Sequence, residues 1–148
     1  MNTQDFIAKT EIDIHAPVEK VWDALVNPAL IQQYMFGTKV ESEFQTGSPI
    51  TWKGNWKGKE YEDRGTIIEI IPHHLLQYSH FSPLSGKEDH PDNYNVVSIE
   101  VHKAGNDTQV SIAQDNNPSE EAKKHSEENW MKMLEGMKKV VERIEVEI

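Results

Sequence analysis

Apolar and polar positions divide the 148-residue chain into three regions of different period. In the first, Phe6, Ala8, Thr10, Ile12 and Ile14 alternate with Lys9, Glu11 and Asp13. This period of two predicts a strand with one wetted face. Ala16-Pro17 ends it, and Pro17 suits the first turn of a helix in which Val18, Val21, Trp22 and Leu25 recur at helical spacing. Glu19 lies near the positive end of that helix. Asn27-Pro28 then breaks the pattern and opens a shorter helix through Leu30, Ile31 and Tyr34, stopped by Gly37.

From Thr38 to Gln114 the texture changes to short strands and turns. Strands are predicted at about Lys39–Phe44, Pro49–Trp56, Lys59–Ile71, Leu75–Phe81, Asn93–Lys103 and Thr108–Gln114. The turns between them, Gln45–Ser48, Lys57-Gly58, Pro72–His74 and Ala104–Asp107, hold Gly, Pro or Asn where the chain must reverse. The segment Ser82–Asp92 has no period and is expected to be an exposed loop.

The third region is helical. Asn116-Asn117-Pro118-Ser119 supplies a cap, and Glu120 and Glu121 complement the helix N-terminus. Trp130, Met133, Leu134, Met137, Val140, Val141 and Ile144 then form one continuous stripe. A helix from Ser119 to about Glu145 is roughly 40 Å long at 1.5 Å per residue, enough to cross a twisted sheet. Its outer face alternates Lys123, Lys124, Lys132, Lys138, Lys139 and Arg143 with Glu residues, the pattern of a solvated, salt-laced surface. The tail Ile144–Ile148 alternates apolar and acidic residues, which suits an added strand, a dimer contact or a frayed end. Strand, two short helices, six strands and a long helix make an α+β domain, with helices gathered on one side of a curved antiparallel sheet. A hollow between sheet and helix is expected.

Composition narrows the function. Hydrophobic residues are 36% and charged residues 27%, ordinary for a folded soluble protein, and the expectation is one domain over residues 1–148. With 15 Lys and Arg against 25 Asp and Glu the formal charge is −10, which disfavours nucleic acid and anionic membrane surfaces as partners. The absence of cysteine removes disulfides, thiolate metal sites and cysteine nucleophiles. The segment Met1–Ile14 lacks a basic start followed by an apolar run, so a cytoplasmic location without a signal peptide is expected.

The chain resembles the helix-grip fold of the START-like superfamily. Within it, the resemblance is closest to homologues of the C-terminal domain of the activator of the heat-shock protein 90 ATPase. The residues that carry it are the opening run Ile14–Leu25 (IHAPVEKVWDAL), Asn27-Pro28 and Tyr34-Met35-Phe36-Gly37. They continue with Gly65, Glu69 and Pro72–Tyr78 (PHHLLQY), and close with Asn129-Trp130, Met133-Leu134 and Met137-Lys138. The likeness extends from about Thr10 to Glu142. It implies a helix-grip cavity that holds apolar ligands and, in some members, cyclase or hydrolytic chemistry. Eukaryotic activators stimulate the chaperone ATPase with an additional N-terminal domain that these 148 residues do not contain, so a chaperone partner is the second expectation.

In that fold the aromatic and Met side chains face the space between sheet and helix. Tyr34, Phe36, Trp52, Trp56, Tyr78, Phe81, Trp130, Met133 and Met137 are the expected lining of a site for a small hydrophobic or aromatic ligand, with Trp22, Tyr61 and Tyr94 in the same aromatic set. The same stripe also describes an ordinary core. Catalysis would need an inward acid or base, for which Glu69, Glu100, His80 and His102 are the strand candidates. Asp63 and Arg64 read as a surface pair. His73-His74, His80 and His90, even with Glu88, Asp89 and Asp92 nearby, match no metal-ligand spacing. No nucleophile elbow, phosphate loop or dinucleotide fingerprint occurs. The expectation is therefore a binding protein rather than an enzyme, without cofactor or metal, and either monomeric or homodimeric.

Overall fold

The structure, a computed structural model, describes residues 6–35, 37–56, 58–83 and 86–147, with the side chains at 56 and 144–147 outside the description. Strand β1 (Phe6–Ile14) is followed by helices α1 (Val18–Val26) and α2 (Pro28–Tyr34). Then come β2 (Lys39–Ser42), β3 (Pro49–Trp56), β4 (Lys59–Ile71), β5 (Leu75–His80), β6 (Asn95–Ala104), β7 (Asp107–Asn117) and helix α3 (Glu120–Glu147). Among the described residues the seven strands form one antiparallel sheet in the order β1-β7-β6-β5-β4-β3-β2. This is the helix-grip α+β fold expected from the sequence.

Where strand ends differ from expectation, a side chain or an unusual backbone conformation is the reason. Strand β2 stops at Ser42, because the Ser42 hydroxyl accepts from the Phe44 N–H at 3.0 Å and Phe44 takes φ 51°. Strand β7 runs on to Asn117, whose side-chain amide donates to the carbonyls of Phe6 and Gln114. Ser119 caps α3 as expected, its hydroxyl accepting from the Ala122 N–H at 3.1 Å. The tail is helical through Glu147 rather than an added strand, while Ile148 and the side chains from 144 lie outside the described residues. No helix among the described residues is long and apolar enough to cross a membrane.

The core is the space between sheet and α3. Leu134 and Met137 of α3 are fully buried, as are Val21 of α1, Ile67 of β4, Val110 of β7 and Ile14 of β1. One glycine is required for the sheet to bend. A Cβ at Gly65 would stand 1.7 Å from the Ser79 carbonyl oxygen, so strands β4 and β5 approach more closely there than any side chain permits. Two residues on, the β4–β5 register shifts between Ile67 and Glu69. A close crossing followed by a bulge is how a sheet curves around a helix.

Helix α3 also closes an edge of the sheet. As the first strand in the order, β1 has one row of backbone groups without a strand partner. Glu127 accepts from the Lys9 N–H at 2.9 Å and Glu142 from the His15 N–H at 2.8 Å, while Lys138 donates to the Asp13 carbonyl at 3.1 Å. Glu127 to Glu142 spans roughly 22 Å of helix, and Lys9 to His15 roughly 20 Å of strand. The two periods match, so some of the charged residues expected to be merely solvated serve as the edge partner of β1. His15 also pairs with Asp107 at 2.6 Å, tying this end of the helix to the β6–β7 turn.

Two outcomes follow. Gly65→Ala should lower unfolding stability by about 3 kcal/mol or more in a urea titration, since backbone must move. Gly105→Ala, at φ 66° in open space, should cost only about 1 kcal/mol. Equal losses would show that crowding at Gly65 is unimportant. Glu142 is held below the ordinary carboxylate range chiefly by its hydrogen bond from Lys138, with the His15 N–H adding to it. Its contribution to stability is therefore complete above the unfolded-state value of about 4.5 and lost as pH falls through the lowered folded-state value. Glu142→Gln should flatten that acid limb of the stability-versus-pH curve, and an unchanged limb would remove this ion pair from the account.

Candidate functional site

Alternation along four strands builds the site. Inward positions of β4 read Ile67, Gly65, Asp63, Tyr61, and those of β5 read Leu76, Tyr78, His80. On β6 they are Val101, Ile99, Val97 and Asn95, and on β7 Val110, Ile112 and Gln114. The pairings His80↔Asn95 and Val97↔Gln114 bring the last members of these rows to the same end of the sheet. The inward face is thus apolar over most of its length and ends in a polar row of Asp63, His80, Asn95 and Gln114.

Two adjoining hollows follow from this layout. The apolar one has a volume of only about 30 Å³ and is lined by Leu25, Ile31, Tyr34, Met35, Val40, Phe44, Ile50, Trp52, Leu76, Tyr78, Ile99, Trp130 and Met133. At roughly 10–15 Å³ per water this is space for a solvent molecule or two rather than a ligand. The second, about 170 Å³, lies at the polar end and shares Met35, Trp52, Tyr78 and Trp130 with the first. Its remaining walls are Thr38, Tyr61, Asp63, His80, Asn95 and Gln114.

Most polar groups of this cleft are engaged. Thr38 and Tyr61 share a hydroxyl–hydroxyl bond of 2.8 Å, and the Tyr61 ring lies over Gly54, where a Cβ would meet its oxygen at 2.6 Å. The Trp130 indole N–H donates to Gln114 Oε1 at 2.6 Å. Asn95 donates to the Asp115 carbonyl at 2.8 Å. His80 Nε2 meets Asp63 Oδ2 at 2.9 Å, and because a carboxylate only accepts, the proton of that bond sits on Nε2. The His80 ring stands edge-on to Trp52 with centroids 5.0 Å apart, and Tyr78 is 5.1 Å from Trp52 on its other side. Asp63 Oδ1 is buried and has no hydrogen-bond partner among the described residues. Burial pushes both Tyr34 and Tyr78 well above the usual phenol range, so neither ionises at neutral pH.

The expected lining residues divide as follows. Tyr34, Trp52, Tyr78, Trp130 and Met133 line the apolar hollow. Tyr34 is fixed there by its hydroxyl, which donates to the Ala24 carbonyl at 2.7 Å. Met137 and Phe81 line neither hollow: Met137 is fully buried core, and Phe81 is buried and stacks on Tyr94 at 5.2 Å. Phe36 and the Trp56 side chain lie outside the described residues. Of the acid–base candidates only His80 faces the cleft, while Glu69, Glu100 and His102 are exposed. Asp63 and Arg64 do not pair with each other. They point to opposite faces, Asp63 to His80 and Arg64 to Asp89 at 3.0 Å. That Asp89 contact, with Tyr94 donating to Asp89 at 2.6 Å and Asn116 to the Asp92 carbonyl at 2.9 Å, ties down the loop that has no period in sequence. No group of three or more His, Asp or Glu among the described residues is placed to hold a metal.

Asp63, Thr38 and Gln114 were not among the expected site residues, and Tyr61 belonged only to the wider aromatic set. The signal for three of them was present: counting by twos from Ile67 reaches Asp63 and Tyr61, and from Ile112 reaches Gln114. Thr38 lies outside any strand, and sequence gives no such count for it.

The family described as "Activator of Hsp90 ATPase homolog 1-like protein" matches residues 15–142 of the chain. No curated protein matches it. The solution structure of ChR145 from Cytophaga hutchinsonii is 54% identical, covers 96% of this chain and 97% of its own, and superposes with a TM-score of 0.83. The Aha1 dimer from Colwellia psychrerythraea is 17% identical, covers 91% and 95%, and has a TM-score of 0.70. CalU16 from Micromonospora echinospora is also 17% identical, covers 95% and 87%, and has a TM-score of 0.71. The last two likenesses concern the fold alone.

The Trp130–Gln114 bond anchors α3 over the cleft. Gln114→Leu should cost about 1 kcal/mol of stability in urea and shift the tryptophan emission of the native state. An unchanged spectrum and midpoint would mean the indole N–H is as well served by water.

Proposed function

We propose that the chain, which belongs to the Activator of Hsp90 ATPase homolog 1-like family, binds a small molecule with an apolar body and a polar end, held between the sheet and α3. The observation that carries this reading is the change of the inward face from apolar rows to a polar row beneath α3, which leaves the 170 Å³ cleft at the junction. Ligand sites combine apolar walls with a few placed polar groups, and this cleft has Trp52, Tyr78 and Trp130 beside Asp63 and His80. The adjoining hollow gives the apolar end somewhere to grow, because Met35 and Met133 are flexible enough to repack around it. The ligand's body therefore sits on Trp52, Tyr78 and Trp130 rather than deep against Met137.

Family membership supports a second reading, in which the surface of the chain meets a chaperone and the −10 charge favours a basic patch on that partner. Retention of the chain on an immobilised heat-shock protein 90 homologue at low and at physiological salt tests it. No retention at either salt removes it.

The binding reading is tested by native mass spectrometry of protein purified without detergent. The expected result is a native mass above that of the chain, with the excess lost on denaturation and recovered by solvent extraction. A bare native mass together with no binding of a hydrophobic fluorescent dye would overturn it.

A further inference from the structure

Resting on the binding reading, the charge and ring chemistry of the cleft narrow the class of molecule. Four of its ten lining residues are Trp or Tyr, the sole carboxylate is Asp63, and none is Lys or Arg. Aromatic faces carry negative potential and attract cations, most strongly in a desolvated site. The Asp63 side chain is only 16% exposed, and one of its oxygens is buried without a hydrogen-bond donor. A carboxylate in that condition is under-compensated, since a buried charge needs both pairing and hydrogen bonds. His80 supplies one donor, to Oδ2, through Nε2–H. The neighbouring cation does not supply the other, because Arg64 faces the opposite side of the sheet and is engaged by Asp89.

We propose that the cleft is selective for an organic amine: a protonated primary or secondary ammonium on a short aromatic or aliphatic body. The ammonium sits among Trp52, Tyr61, Tyr78 and Trp130 and donates to Asp63, and the body extends toward the apolar hollow. An N–H donor is specified because, among the described residues, the carboxylate that lines the cleft receives a side-chain hydrogen bond from His80 alone, and its Oδ1 receives none. A neutral ligand would fill the rings and leave the carboxylate as it stands, and an anionic one would face Asp63 directly.

Three probes of similar size test the proposal by calorimetric titration at pH 7: 2-phenylethylamine, 2-phenylethanol and 3-phenylpropionate. The amine should bind at least about tenfold more tightly than the alcohol, and the carboxylate most weakly. Asp63→Asn should bring the amine to the affinity of the alcohol while leaving the alcohol unchanged. If that variant does not fold, Tyr61→Leu, which removes one ring of the cleft, should weaken the amine more than the alcohol. Alcohol or carboxylate binding as tightly as the amine would overturn amine selectivity and leave the binding reading intact. So would a natively bound molecule that carries no amine. No binding of any probe, with a bare native mass, would remove both.

Discussion

The structure depends on one helix covering one face of a sheet. Strands β4 to β7 present Ile67, Leu76, Ile99 and Ile112 inward, and α3 covers this face with Leu134, Met137 and Val141. An antiparallel sheet with one wet face needs such cover to take these side chains out of water, and α1 and α2 add Val21, Leu25 and Ile31 to it. The sheet must curve to meet the helix, and Gly65 permits it by letting β4 and β5 approach where a side chain would collide with the Ser79 carbonyl. The helix must lie at a defined height and rotation, which the contacts of Glu127, Lys138 and Glu142 with the backbone of β1 provide. Coverage and placement are thus handled by adjoining flanks of the same helix.

A sheet covered along its whole length would be only a core. Here the inward rows turn polar before they end, and each side chain of the polar row makes at least one hydrogen bond. Trp130 is joined to Gln114, Tyr61 to Thr38 and His80 to Asp63. Each bond is internal to the cleft wall, so the walls are stiff and the space between them is kept open. Asp63 Oδ1, buried without a partner among the described residues, is costly for folding alone, and such uncompensated groups concentrate where a protein binds or reacts.

Family membership and the likeness to ChR145 describe a scaffold, and a scaffold does not settle a ligand. The character of the cleft comes from the particular end of each strand. The buried rows of Ile, Leu and Val would serve any helix-grip protein, whereas Asp63, His80, Tyr61 and Gln114 set the charge, donors and rings that a ligand would meet.

The elements were legible in the sequence because each is a local matter. Alternation in Phe6–Ile14, helical spacing from Trp130 to Val141, and Gly, Pro or Asn at the reversals depend on a few neighbouring residues, and β3 and β4 match their expected bounds. The aromatic and Met stripe named Trp52, Tyr78, Trp130 and Met133 as inward residues, since each lies on the apolar side of its own element. Which of them border open space was not local. Met137 and Met133 have the same character in sequence, but only the height at which α3 crosses the sheet separates core from cleft wall. Asp63 beside Arg64 looks like a surface pair until strand register sends one to His80 and the other to Asp89. Sequence periodicity determined which side of each strand is apolar, and tertiary structure decided where those sides end together, because register across four strands is set by pairing between segments far apart in the chain.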